Sequence, residues 1–235
     1  MKGFGMMIPK FSVSLMCMDF LDIRHQIEIL NRRADLYHVD IMDGHFCKNI
    51  ALSPDFMKSC GKVAKLPIEA HLMTKNPGDW LEAVAQAGAS CISPHAETIN
   101  ADAFRTIGRI RELGCKVGVT LNPATPLSFI QHYLHHLDML TIMTVDTGYA
   151  GQRFIPEMLK KIEQAQHLKK EKGYTYEIQV DGSCNAKTFR SLFESGTEVF
   201  VLGSSGLFGL DTDLNIAYDK MLSQFQAETN IEMQG

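Results

Sequence analysis

The sequence has no excess of basic residues, no paired-cysteine motif and no long apolar run. Its 23 lysines and arginines are outnumbered by 27 acidic residues, a net charge of −4, and form no stripe. Nucleic acid is therefore not an expected partner. No run of 18 apolar residues occurs, so a membrane span is not expected either. The opening stretch, MKGFGMMIP, has one lysine and too little apolar sequence for a signal peptide. Cys17, Cys47, Cys60, Cys91, Cys115 and Cys184 are scattered without a C-x-x-C pair, which reads as reduced thiols in a cytoplasmic protein. No Pro/Gly/Ser-rich linker divides the chain. The expectation is one domain over 1–235, with 1–8 as a loose N-terminal extension.

What is present is alternation. Short β-rich runs at 10–16, 35–41, 67–73, 90–95, 116–121, 139–145, 176–181 and 198–203 are separated by longer amphipathic stretches. The latter include 19–33, 54–64, 78–87, 101–113, 156–172 and 185–195, with a poorly defined helix at 122–137, where Pro123 and Pro126 delay the start. Asp19 and Asn185 are candidate N-caps, Pro156 suits a first helical turn, and Gly88, Gly114, Gly173 and Gly196 stand where helices should end. Eight β–α units at even spacing predict a single-domain (β/α)8 TIM barrel. The rival, a doubly wound open sheet, would carry fewer strands and a Gly-rich turn after the first; here LMCMDF follows it.

Metal-capable residues fall at strand ends. His38 and Asp40 are two apart on the second strand and share a face; His71 lies near the end of the third, and Asp181 ends the seventh. Ser12 and Ser14 alternate on the first. In a barrel those ends converge on one mouth, where active sites of this fold sit. Two imidazoles and two carboxylates suit one divalent ion, with Zn²⁺, Mn²⁺, Fe²⁺ or Co²⁺ preferred and Mg²⁺ admissible. A lone strand histidine is more often a satisfied core residue, but four such residues on one rim argue for a site.

Small-residue loops follow the later strands: DTGYAGQRF at 146–154, DGSCN at 181–185 and LGSSGLF at 202–208. Such loops let backbone N–H groups approach an anion, and barrels often bind phosphate after strands 7 and 8. Met42, Met73 and Met143 near the mouth read either as core filler or as an apolar wall. The run QHYLHHLD at 131–138 reads as a solvated helix face rather than a metal cluster.

These motifs (SVSLM, HVDIMDGHF, HLM, MTVDTGYAGQ, VDGSCN and LGSSGLF, in order from residue 12 to 208) resemble the ribulose-phosphate 3-epimerase family. SLMCMD, MDGHF, HAETIN (95–100), DGSCN and SGLF are similar to the family members acting on D-allulose 6-phosphate. The resemblance implies a metal-dependent isomerase that inverts C3 of a phosphorylated ketose. The expected reaction is D-allulose 6-phosphate to D-fructose 6-phosphate, or alternatively D-ribulose 5-phosphate to D-xylulose 5-phosphate. It implies His38, Asp40, His71 and Asp181 as metal ligands, Asp40 as proton acceptor and Asp181 as donor. Ser14, His71, Gly148, Tyr149, Ala150, Gly151, Asp181, Gly182, Ser183, Gly203, Ser204 and Ser205 would line the sugar-phosphate site. A homo-oligomer, dimer or hexamer, is the expected assembly. Val13, the pair Cys47-Lys48 and Thr147 depart from the family pattern without removing a ligand or an acid/base residue. The chemistry agrees: inversion beside a ketone removes a proton from one face and returns one to the other, which calls for two groups. A barrel lyase or decarboxylase would want a lysine at the mouth, and a non-catalytic sugar-phosphate-binding module would not need both aspartates.

Overall fold

The computed structural model describes residues 8–232. The expected loose extension over 1–8 lies outside them, apart from Ile8, which is exposed. All eight expected strands form: β1 (Lys10–Ser14), β2 (Leu36–Met42), β3 (Ile68–Met73), β4 (Cys91–Pro94), β5 (Lys116–Leu121), β6 (Met139–Met143), β7 (Glu177–Asp181) and β8 (Val199–Leu202). They pair in parallel, in chain order, and β8 returns to β1 to close the barrel. The TIM-barrel expectation holds.

The helices are α1 (Ile23–Leu30), α2 (Pro54–Cys60), α3 (Leu81–Gln86), α4 (Ala96–Ile99), α5 (Ala103–Glu112), α6 (Met158–Lys172), α7 (Phe189–Ser195) and α8 (Leu214–Thr229). The sequence reading places two N-caps wrongly. Asp19 closes a tight turn, accepting from the Leu21 N–H at 2.9 Å, and α1 starts four residues later behind Asp22. Asn185 likewise holds a turn, accepting from the Lys187 N–H at 3.1 Å, and Thr188 precedes α7. The segment 122–137 forms two short 3-10 turns, Leu127–Ile130 and Leu134–His136, rather than a helix. Pro123 and Pro126 withhold two backbone donors there. Gly173 and Gly196 do terminate α6 and α7, at φ +69° and +106°, a left-handed conformation that glycine adopts without steric cost.

Alternation divides each strand. Val13, Tyr37, Val39, Ile41, Leu72, Ile92, Val119, Ile142, Val180 and Phe200 turn outward and are fully buried under the helices. At the closing seam, Phe225 of α8 meets Phe11 (β1), Phe189 (α7) and Phe200 (β8) with ring centroids 5.1, 5.1 and 5.2 Å away. Inward residues stack in layers from alternate strands. The lowest is apolar: Leu36, Cys91, Met139 and Val199 form one cluster. Above it, Ser12, Glu69, Gly118 and Gln179 come from the odd strands, and His38, Ser93, Thr141 and Val201 from the even ones. Gly118 is required by this stacking, because a Cβ there would sit 1.9 Å from Ser93 Oγ.

Candidate active site

The upper lumen brings four ionisable side chains to one point. One ligand atom each from His38, Asp40, His71 and Asp181 lies within 4.8 Å of the others. His38 Nε2 is 3.1 Å from His71 Nδ1 and 3.2 Å from Asp40 Oδ1; His71 Nδ1 is 3.2 Å from the same Oδ1. Asp181 Oδ2 stands 3.7 Å from both imidazole nitrogens. Metal–donor bonds of about 2.1 Å place neighbouring donors about 3.0 Å apart in an octahedron and about 3.4 Å in a tetrahedron. The observed spacings match the edges of such a polyhedron, so these residues fit one divalent ion. It is the one such group among the described residues. The histidines at 132, 135 and 136 do not join it.

The surroundings favour positive charge at this point. Burial opposes charging of His38, yet Asp40 and Glu69 outweigh it and raise its pKa well above the ordinary value. A cation bound at Nε2 would satisfy the same carboxylates. The two aspartates are driven apart. Burial would raise Asp40, but His38 and His71 beside it hold its carboxyl far below the usual range. Asp181 is raised, by burial first and then by the charge of Asp40. Two carboxyl groups with opposed environments are the usual mark of a base and an acid at one site.

Glu69 has no place in the sequence reading. Fully buried, it accepts from His38 Nδ1 at 2.8 Å, from Ser93 Oγ at 2.5 Å and from Gln179 Nε2 at 2.7 Å; Gln179 also donates to Thr141 Oγ1 at 3.0 Å. This network leaves Nε2 of His38 as the nitrogen facing the centre. Glu69 precedes His71 by two residues and so shares its face; that alternation was the available signal. His95 was also missed as a neighbour of the centre: its Nε2 lies 2.9 Å from Nε2 of His71, and burial, with the charge of His71, pushes its pKa down to about 4.

The mouth pocket is lined by Ser14, Asp40, Asp181, Gly148 to Gln152, Gly182 to Cys184 and Gly203 to Ser205. It therefore gathers every expected substrate-site residue except His71, which lies behind Asp40 in the lumen. Ser14 Oγ donates to Asp40 Oδ2 at 2.8 Å, leaving Oδ1 to the imidazoles. Met42, Met73 and Met143 form an apolar flank, and no lysine lines the pocket. Two loops clasp over it: Tyr149 donates its hydroxyl to Lys48 O at 2.7 Å, and Asn49 Nδ2 donates to Gly148 O at 2.8 Å. Gly148, at φ +121°, sits so close to Cys47 that an added Cβ would meet the cysteine Cβ at 2.9 Å. Of the residues that depart from the family pattern, Cys47 and Lys48 belong to this clasp, Thr147 precedes it, and Val13 is buried on the outer face of β1. Thr147 donates to Asn122 Oδ1.

Residues 10–208 match the model of the ribulose-phosphate 3 epimerase family. The chain is 38% identical over 198 residues to "Ribulose-phosphate 3-epimerase" of Bacillus subtilis (strain 168), covering 83% of this chain and 91% of that one. It is 37% identical over 203 residues to the protein of the same name from Methanocaldococcus jannaschii, covering 86% and 85%. Solved structures with the same fold include 3-hexulose-6-phosphate synthase, at 14% identity and TM-score 0.68, covering 94% of this chain and 99% of that one. Another is KGPDC from Streptococcus mutans, at 12% identity and TM-score 0.69, covering 94% and 98%. The chain belongs to the ribulose-phosphate 3-epimerase family and is a carbohydrate-phosphate epimerase acting on a phosphorylated ketose. Among the described residues, no helix is long and apolar enough to cross a membrane.

Proposed function

We propose that this chain inverts C3 of a ketose phosphate by a two-base mechanism across Asp40 and Asp181, around one divalent ion held by His38, Asp40, His71 and Asp181. The observation that carries it is the convergence of two lumen carboxylates, Asp40 and Asp181, with two imidazoles, one ligand atom of each within 4.8 Å of the others. The bound ion, with Zn²⁺, Mn²⁺, Co²⁺ or Fe²⁺ suited to the imidazoles and Mg²⁺ less so, would polarise the C2 carbonyl and neighbouring hydroxyl. Asp40, ionised and steadied at Oδ2 by Ser14, takes the C3 proton from one face; the C–H electrons become the C2–C3 double bond as the C2 carbonyl π electrons move to its oxygen, giving an enediolate. Asp181, carrying a proton, delivers it to C3 from the opposite face, and the reverse reaction exchanges the roles. The methionine flank keeps water from screening these charges. Backbone N–H groups of Gly203 to Ser205 and Gly148 to Gly151, with Gly182 and Ser183, would hold the phosphate.

For the sugar, the names of the relatives support D-ribulose 5-phosphate to D-xylulose 5-phosphate as the leading reading. The second reading, D-allulose 6-phosphate to D-fructose 6-phosphate, is supported by the particular residues of HAETIN, DGSCN and SGLF. Side-by-side turnover on the two substrates separates them. Six free cysteines support a reducing, cytoplasmic setting. Exposed Phe20, Leu21 and Ile50 offer apolar surface that a second copy would cover in the proposed homo-oligomer. The mechanism is tested in heavy water, by following label at C3 in metal-loaded Asp40→Asn and Asp181→Asn with metal content measured in each. Full epimerisation by either variant would sink the two-base reading.

A further inference from the structure

We infer that Glu97 is a positioning residue for this centre. Acting through His95, it decides which nitrogen of His71 carries a proton and keeps Nδ1 bare toward Asp40 and Asp181. The inference rests on the metal-centre reading above.

His71 presents Nδ1 to the centre, where its closest carboxylate oxygens are Asp40 Oδ1 at 3.2 Å and Asp181 Oδ2 at 3.7 Å. Two carboxylates by themselves draw the imidazole proton onto Nδ1, the tautomer that cannot ligate a metal. His38 Nε2, 3.1 Å from the same Nδ1, is one group that can oppose them; His95, on the far side, is the other. Nε2 of His71 lies 2.9 Å from Nε2 of His95, and only one of two nitrogens in such a contact holds the hydrogen. If His71 donates, His95 accepts at Nε2 and carries its own proton on Nδ1. That Nδ1 faces Glu97 Oε2 at 3.4 Å, within attraction but not aligned as a hydrogen bond. Both atoms are buried and have no other hydrogen-bond partner. Glu97 is held at its other oxygen: Oε1 accepts from the backbone N–H of Asn122 at 3.0 Å and from the Thr125 hydroxyl. The series Glu97–His95–His71 therefore has one consistent proton register, set at its outer end by a group that only accepts. Carboxylate–histidine support of a metal ligand usually acts directly, as Glu69 does on His38; here it acts through a second imidazole.

Glu97→Gln should reverse the register. The Asn122 N–H still needs an acceptor, so the amide oxygen stays at Oε1 and the amide nitrogen turns to His95. His95 then accepts at Nδ1 and donates from Nε2, and the His71 proton is forced onto Nδ1. The experiment uses the full chain stripped of metal. Zinc affinity is measured by chelator competition, and the His71 tautomer of the metal-free protein by ¹⁵N NMR. We expect E97Q to weaken zinc binding about 10–100-fold and to move the His71 proton to Nδ1. His95→Phe, which breaks the series at its middle, should weaken zinc similarly. Thr125→Val, which loosens the same loop but leaves Oε2 facing His95, should leave zinc affinity unchanged. Equal losses in E97Q and T125V would assign the effect to loop packing and overturn the inference, as would a His71 tautomer identical in wild type and E97Q. Failure of the wild type itself to bind zinc would count against the metal centre, while the tautomer measurement would still decide the role of Glu97.

Discussion

The outer and inner faces of the barrel are built from the same strands and differ in almost every property. Outward, Val39, Ile41, Leu72, Val119, Ile142 and Val180 are buried against helices with no polar atom to satisfy. Inward, above one apolar layer, stand Ser12, His38, Asp40, Glu69, His71, Ser93, Thr141 and Gln179, equally buried and almost all polar. Burial on the outer face removes apolar surface from water and stabilises the fold at about 25 cal/mol per Å². Burial on the inner face costs free energy unless each group finds a partner, and a satisfied network fixes a single arrangement of its members. In this molecule, holding the barrel together and aiming the site are tasks of opposite faces, one residue apart along each strand.

That separation can be broken by experiment. The largest effect belongs to the lumen: Asp40→Asn should lower turnover by about 10²–10⁴-fold while circular dichroism and the melting transition show a folded barrel. Loss of the fold would mean that the lumen also carries stability. On the outer face, Phe225→Ala at the closing seam should cost about 3–5 kcal/mol by chemical denaturation with zinc affinity intact. A parallel fall in zinc affinity would show that closure of β1 on β8 reaches the site.

An intermediate effect concerns acid. Folding lowers the His95 pKa from 6.5 to about 4, because burial favours the neutral ring. The unfolded chain therefore binds a proton that the folded chain refuses. The associated stability is full above pH 6.5 and is lost as pH falls toward 4. Between pH 7 and pH 5 the metal-free wild type should lose about 2 kcal/mol more than His95→Phe in urea titrations. Equal losses would refute the assignment to this ring. The smallest effects sharpen the comparison most. Thr141→Val and Ile142→Val alter adjacent residues on opposite faces, and each should cost about 1 kcal/mol, one through a lost hydrogen bond and the other through a lost methylene. Only Thr141→Val, which removes an acceptor of Gln179 beside Glu69, should also weaken zinc binding.

Much of this was legible in the linear chain. Eight runs of β-branched and apolar residues, spaced by amphipathic segments, determined eight parallel strands, because a strand covered on both faces needs apolar residues outward and a crossover helix between neighbours. The two-residue spacing of His38 and Asp40 determined that they share a face. Helix starts were less legible: Asp19 and Asn185 have the chemistry of N-caps, but their side chains serve a turn equally well, and only the packing of the following apolar residues selects the start. The supporting groups were out of reach for a different reason. Glu69, the pair His95 and Glu97, and Gln179 come from separate segments of the chain. The spacing of Glu69 from His71 shows only a shared face, and what each group does depends on barrel stagger, which sets β3 against β2 and β4, and β7 against β6. The sequence by itself determined which residues can hold charge at the mouth. Which nitrogen of each histidine faces inward, and which aspartate is held ionised while the other is raised, was decided by distances that exist only once the barrel has closed.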